Sequence, residues 1–102
     1  MPSENYLRAK AKEYLTKEKY QVWFAPRVRW AKETDIFSCF DCQCWRRDEI
    51  LFVQITTLKN WRARQRKITD YMLKHGVYFV PPKTKGIVMA WSEKKEFRIF
   101  DV

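Results

Sequence analysis

The sequence predicts a single α/β domain in which a helix, three strands, a second helix and three further strands follow one another. The 102 residues fit one domain and leave no room for two. A hydrophobic fraction of 46% is enough for an ordinary core. Two segments repeat apolar residues at helical spacing, whereas the others alternate or form short apolar runs, as strands do.

The first helix is expected over residues 3–19, with Ser3 as its N-cap. Its apolar stripe consists of Leu7, Ala11, Tyr14 and Leu15. Residues 20–30 then alternate between apolar and polar side chains, interrupted by Pro26. Because proline cannot donate to a strand ladder, this pattern predicts an edge strand with a bend at that residue.

A hairpin is expected in the middle of the chain, with strands at residues 35–45 and 50–57 and a polar turn at 46–49. The later strand is apolar on both faces apart from a few positions, which is typical of a central strand. Pairing through the turn places Asp41 opposite Gln54.

The same register places Cys39 opposite Thr56, so that Cys39, Asp41, Gln54 and Thr56 share one face. A carboxylate in mid-strand costs free energy unless it is paired, solvated or bound to metal, which makes this face a candidate site. The alternative is a sheet face open to water, where Asp, Gln and Thr are ordinary.

The second helix is expected over residues 60–74, capped by Asn60 and ended by Gly76. Its inner face consists of Trp61, Gln65, Ile68 and Met72. Three further strands are expected at residues 77–80, 87–91 and 97–101.

The net charge of +9 and pI of about 9.7 favour a polyanionic partner. No apolar run approaches the ~18 residues of a membrane span. The first six residues lack the apolar stretch of a signal peptide. We therefore expect a cytoplasmic protein with no membrane partner, and nucleic acid as the anion.

The charge is unevenly distributed. Residues 58–74 carry six Lys or Arg against one Asp, a net +5. Residues 35–57 carry two Arg against four acids, a net −2. Acidic residues set among basic ones suit phosphodiester chemistry with Mg²⁺, in which carboxylates hold the metal and basic groups hold the backbone. A solvated basic face with ordinary turn acids is the alternative.

Three cysteines, Cys39, Cys42 and Cys44, form an odd and tightly spaced set. The single histidine, His75, is distant in sequence, and no fourth zinc ligand is evident. We expect them to be small buried residues.

Asp41, the segment Gln54-Ile55-Thr56 and the basic helix that follows resemble the PD-(D/E)XK nuclease superfamily. The similarity is greatest to its archaeal Holliday-junction-resolvase branch and to small phage nuclease-like proteins. In that pattern an Asp lies on one hairpin strand, and an acid-x-Lys triplet lies on the other. The resemblance implies a restriction-endonuclease-like core, a mixed β-sheet flanked by helices in the order αβββαβββ.

The resemblance also implies roles for individual residues. Asp41 would be the metal-binding aspartate, Gln54 occupies the position of the acid, and Ile55 would offer its backbone carbonyl to the same ion. Thr56 stands where the family has lysine, and it cannot supply a positive charge. Lys59 or Lys67 would have to replace that charge.

Further candidates lie outside the hairpin motif. Glu13 would add a carboxylate from the first helix, and Asp35 would share the face of Asp41 as a weak metal ligand if the strand is regular. The candidates for contact with nucleic acid are Arg27, Arg29, Arg62, Arg64, Arg66 and Lys67.

Three functions follow as hypotheses. The first is a Mg²⁺- or Mn²⁺-dependent DNA endonuclease of Holliday-junction-resolvase type, acting as a homodimer. The second is a catalytically inactive nucleic-acid-binding module on the same fold. The third is a protein–protein interaction domain that uses exposed aromatic side chains.

Overall fold

The computed structural model describes residues 3–25, 36–37 and 39–102, which form two helices and one five-stranded mixed sheet. The elements are α1 (Glu4–Lys17), β1 (Gln21–Phe24), β2 (Cys42–Arg46), β3 (Glu49–Thr57), α2 (Trp61–His75), β4 (Thr84–Trp91) and β5 (Phe97–Asp101). The strands lie in chain order across the sheet, β3 and β4 are parallel, and the other neighbours are antiparallel. The predicted α/β class with a mixed sheet is confirmed.

The first helix packs on one face of the sheet. Oγ of Ser3 accepts a hydrogen bond from the N–H of Tyr6 at 3.1 Å, which confirms the predicted N-cap. Ala11 and Leu15 bury their side chains against the strands, because they fall on one stripe of the helix. The core on this face consists of Ala11, Leu15, Cys42, Cys44, Leu51, Val53, Ile87 and Met89.

The second helix packs on the opposite face. Ile68 is fully buried beside Val88, and the ring of Trp61 stacks on that of Phe100 at 3.7 Å between centroids. Gly76 ends the helix in the left-handed region, as predicted (φ 64°). Neither this helix nor any other in the described residues is long and apolar enough to span a bilayer.

The N-terminus of α2 differs from the prediction. The side chain of Asn60 donates to Oγ1 of Thr57 at 3.3 Å and makes no cap hydrogen bond. Its amide is therefore held by the end of β3, and the expected side-chain cap is wrong.

The central hairpin follows the predicted register from Cys42 to Arg46 and departs from it at Asp41, which is not directly opposite Gln54. Gln43 pairs with Phe52, and the ladder ends with Arg46 opposite Glu49. The turn therefore consists of Arg47 and Asp48 alone, with Arg47 in the left-handed region (φ 56°). β3 lies between β2 and β4, which confirms its central position.

The strand predicted from residue 35 begins only at Cys42. Ile36 and Phe40 face each other across a tight turn, with backbone hydrogen bonds of 2.7 and 3.0 Å in the two directions. Cys39 lies within this turn, so its predicted place opposite Thr56 in a strand is wrong. Burial of Phe40 and Cys39 against the α2 face accounts for the turn, because an extended chain would carry them past that core.

The strand predicted at residues 77–80 is also wrong, since this segment is irregular. Two strands, rather than three, follow α2 in the described chain. Both edges of β4 are already paired, with β3 and β5, so the segment has no strand edge beside it to join. Phe79 instead packs over Gly86, and Val77, Tyr78 and Val80 remain exposed.

Candidate functional site

Asp41 sits at a β-bulge where β2 begins. Its N–H donates to the carbonyl of Val53 at 2.8 Å, although Val53 is the register partner of Cys42. Two successive residues therefore oppose one, which is the arrangement of a bulge. A bulge changes the direction of a side chain, and here it directs that of Asp41 along the edge of β3 toward Gln54 and Ile55.

The carboxylate of Asp41 is held by two donors from β3. Its Oδ2 accepts from Nε2 of Gln54 at 2.9 Å and from the backbone N–H of Ile55 at 2.7 Å. Asp41 and Gln54 are both buried. The predicted meeting of these two side chains is confirmed, and the two hydrogen bonds stabilise the charge of a buried carboxylate.

The backbone of Ile55 explains why both side chains are needed. In the hairpin register Ile55 would face residue 40, but that residue lies in the turn closed by Ile36. Asp41 therefore accepts from the N–H of Ile55, and Nε2 of Gln54 donates to its carbonyl at 3.1 Å. The side chains of Asp41 and Gln54 thus make the hydrogen bonds that a neighbouring strand would have made. An unpaired N–H or carbonyl of Ile55 would cost free energy here.

One nitrogen thus lies between two oxygens. Nε2 of Gln54 contacts Oδ2 of Asp41 and the carbonyl oxygen of Ile55, so both acceptors point at one small region. The partial positive charge of the amide N–H₂ satisfies them there. We call the region between Asp41, Gln54 and the carbonyl of Ile55 the Asp41 corner. A metal cation bound there would contact the same two oxygens, and Oε1 of Gln54 would join them if the side-chain amide were flipped.

These three groups supply oxygen alone, which is what Mg²⁺ and Mn²⁺ prefer. Within residues 3–25, 36–37 and 39–102, no group of three or more His, Cys, Asp or Glu side chains could hold a metal. The donor set is therefore one carboxylate, one amide and one backbone carbonyl. It fits a hard cation in kind and is low in charge.

Thr56 is buried on the same face as Gln54, two residues along β3. Its hydroxyl carries no charge, and its side chain is too short to extend to the corner as a lysine would. A positively charged side chain beside the site would therefore have to come from another helix or strand.

The basic residues of α2 divide between its two flanks. Nε2 of Gln65 donates to the carbonyl of Asp101 at 2.6 Å, which fixes the flank that faces β5. Helical spacing then places Arg64 and Lys67 on the other flank, toward β2 and Asp41. Arg62 and Arg66 lie on the β5 and solvent sides, and all four side chains are exposed.

Glu13 does not reach this corner. It lies on the exposed side of α1, which packs on the opposite face of the sheet. Its carboxylate forms ion pairs with Lys10 at 3.9 Å and Lys17 at 3.6 Å. Asp35, Arg27 and Arg29 lie outside the described residues.

Lys59 follows β3 directly and lines a different feature, an open cleft of about 1380 Å³. The sequence did not indicate this cleft, since it is assembled from α1, the end of β3 and the turn between β4 and β5. Tyr6, Trp91, Lys59 and Arg98 are among the side chains that line it. The rings of Tyr6 and Trp91 meet edge to face at 5.8 Å between centroids.

The cysteines behave as predicted, since all three are buried and none forms a disulfide. A hydrogen bond with Cys44, together with burial, raises the pKa of the Cys42 thiol far above its usual range. A thiol that stays protonated is neither a nucleophile nor a zinc ligand.

No protein-family model matches this chain, and no curated protein matches it. Its function is therefore inferred from the residues themselves.

Proposed function

We propose that the protein binds nucleic acid, with DNA as the expected polymer, and that the Asp41 corner makes it a divalent-metal-dependent endonuclease on a restriction-endonuclease-like core. The observation that carries the proposal is the convergence of Oδ2 of Asp41 and the carbonyl of Ile55 on Gln54. The buried polar groups gather at a bulge beside the basic helix α2, and they bring oxygen atoms together in addition to pairing the backbone of Ile55.

Each residue has a distinct part in this proposal. Asp41, the carbonyl of Ile55 and Oε1 of Gln54 would hold Mg²⁺ or Mn²⁺. The bound cation would supply a hydroxide nucleophile and neutralise charge on the leaving oxygen. Arg64 and Lys67 would hold the phosphates of the strand beside the corner, and their affinity would fall with salt.

The order of elements also supports the proposal. A helix, an edge strand, a hairpin, a basic helix and a further strand follow one another, in agreement with the beginning of the implied order αβββαβββ, although two strands rather than three follow α2. Two departures limit the rate. A neutral amide replaces an acid at Gln54, and Thr56 replaces the lysine, so both metal affinity and charge stabilisation are expected to be reduced.

The test is cleavage of branched and linear DNA in Mg²⁺ or Mn²⁺ by the parent protein and by Asp41→Asn. Asparagine keeps an oxygen for the N–H of Ile55, so the fold is expected to survive, as thermal unfolding would verify. We expect the variant to lose cutting while its affinity for DNA in a chelator stays within about twofold. Cutting that persists in the variant would point to a contaminating nuclease.

A nucleic-acid-binding module without catalysis is the second candidate. The same two departures, at Gln54 and Thr56, favour it, and so do the two hydrogen bonds that the carboxylate of Asp41 already accepts. This candidate predicts binding that weakens steeply with salt, with no cutting in either metal. The cleavage assay with matched binding measurements separates the two candidates.

A further inference from the structure

Two exposed tryptophans lie side by side on one face of the sheet, on β1 and β2. Trp23 of β1 pairs with Gln43, and Trp45 of β2 pairs with Gln21, so the rings are diagonal neighbours on one face. Trp23 is 54% exposed and Trp45 is 61% exposed. In the described chain α2 packs over β3 and β4 on this face, and the two rings lie beyond it.

The fold does not require rings at these positions. The opposite face of the same two strands is core, where Val22, Cys42 and Cys44 meet α1. A tryptophan stabilises a protein by burying its large apolar surface, and an exposed ring gives up much of that gain. Two adjacent exposed rings are therefore better explained by something that binds them.

Two phenylalanine rings continue the row of aromatic side chains from the tryptophans toward Asp41. Trp23, Gln43 and Phe52 lie next to one another across three strands. Phe37 is 60% exposed, and its ring lies 6.0 Å from that of Phe52. With strands about 4.8 Å apart, Trp23 lies roughly 10 Å from Phe52.

The sheet face that carries these rings extends to the candidate site. Gln54 is two residues beyond Phe52 on the same face of β3, and its side chain bonds to Asp41. The exposed rings and Gln54, which bonds to the carboxylate of Asp41, therefore lie on the same face of the sheet, with Arg64 and Lys67 along the flank of α2 that borders it.

We propose that Trp23, Trp45 and Phe37 form a stacking surface for the unpaired bases of a nucleic-acid strand whose backbone passes Asp41. The inference rests on the proposed nucleic-acid partner and specifies its single-stranded part. Ring faces accept any base by stacking, whereas the bases of a duplex are already stacked on one another. Charge favours the same occupant, because the phosphates of a nucleic-acid strand complement the net charge of +9.

The test compares affinities in a chelator, so that no cutting occurs. The probes are an oligothymidylate of about twelve nucleotides and a duplex of equal length. Trp23→Ser with Trp45→Ser is the test variant. Tyr78→Ser is the control, because this ring is 79% exposed elsewhere on the molecule. Each lost ring is expected to weaken binding of the oligothymidylate about tenfold, with duplex binding and the control within about twofold.

A second pair of measurements does not depend on the serine variants folding. Trp45→Tyr keeps a ring and is expected to retain affinity within about threefold. In the parent protein, the oligothymidylate is expected to quench tryptophan fluorescence, since bases stack on exposed indoles. Absence of quenching at saturating oligonucleotide would overturn the inference.

Other outcomes separate the inference from the endonuclease proposal. Equal loss in Tyr78→Ser, or parent-like affinity in the double variant, rejects the stacking surface and leaves metal-dependent cutting to be judged on its own assay. Stacking in a protein that cuts nothing keeps the surface and rejects the enzyme. A dimer that becomes a monomer in the double variant would assign the rings to a second copy of the chain and overturn the inference.

Discussion

Asp41 and Gln54 perform two tasks at once on the edge of β3. Their hydrogen bonds satisfy the N–H and the carbonyl of Ile55, and they also bring oxygen atoms together. The first task stabilises the fold and the second suits a cation. Since a hydrogen bond to a charged group contributes about 1.5–3 kcal/mol, these bonds stabilise the carboxylate of Asp41 even without a cation.

Gln54→Glu tests whether the corner binds metal. The substitution places a second carboxylate against Asp41, and two carboxylates sharing one site repel each other. Without metal we expect a lower free energy of unfolding at pH 8 than at pH 5, because a shared proton relieves the repulsion at the lower pH. Millimolar Mn²⁺ is expected to restore stability at pH 8, measured by thermal unfolding.

The matched control for Gln54→Glu is Gln43→Glu, on the same sheet face beside the exposed rings. It adds the same charge away from Asp41, so its stability is expected to respond little to Mn²⁺. If Mn²⁺ stabilises both variants equally, metal is binding elsewhere.

Cys42 gives a pH prediction of its own. Its pKa is raised in the folded protein by the hydrogen bond with Cys44 and by burial, so the folded state keeps a proton that the unfolded state loses above pH 9.0. Stability from this thiol is therefore fully present below that pH and declines as pH rises further. Urea unfolding at pH 8 and pH 10 should show the decline, and Cys42→Ala should reduce it.

At the scale of elements, the hairpin could be predicted and its start could not. The pairing of Gln43 with Phe52 follows from a polar turn and alternating residues, both visible in the sequence. The bulge at Asp41 depends on where the chain leaves the ladder, and the burial of Phe40 decides that point. Sequence therefore indicated which two side chains meet, but not that they serve the backbone of Ile55.

The segment at residues 77–80 shows the limit of strand propensity. Its β-branched and aromatic residues favour a strand, but β4 is already paired on both sides. The side chain of Phe79 instead covers Gly86, where an added Cβ would come within 2.5 Å of the ring.

Gly86→Ala is therefore expected to displace Phe79 and to lower the free energy of unfolding by about 1–3 kcal/mol. Chemical denaturation would measure the change. Gly76→Ala acts by a different route, since its Cβ has open space but its φ is +64°. The pair Gly86→Ala and Phe79→Leu should recover part of the loss, and no recovery would contradict the contact.

At the scale of the whole molecule, the basic side chains of α2 are divided between two flanks of the helix that face different parts of the protein. Arg64 and Lys67 lie on the flank of α2 that borders Asp41, whereas Arg62 and Arg66 lie toward β5 and solvent. If nucleic acid follows the corner, these two pairs of cations contribute unequally. Composition alone indicated a polyanion, and only the packing of α2 distinguishes its two sides.

Arg64→Glu with Lys67→Glu is expected to weaken DNA binding strongly and to reduce the dependence of log K on log salt by about 2. Arg62→Glu with Arg66→Glu changes the same net charge on the same helix and is expected to leave that slope nearly unchanged. Fluorescence anisotropy across a salt series measures both. Equal slopes in the two variants would mean that DNA is attracted by net charge alone.

The most direct measurement is a crystal structure of the protein grown with Mn²⁺, examined by anomalous scattering. We predict a manganese peak at the corner, bound by the carboxylate of Asp41 and the carbonyl of Ile55, with Oε1 of Gln54 turned toward it. A map in which Nε2 of Gln54 still bonds to Asp41, with manganese absent or bound elsewhere, would contradict the proposed metal site.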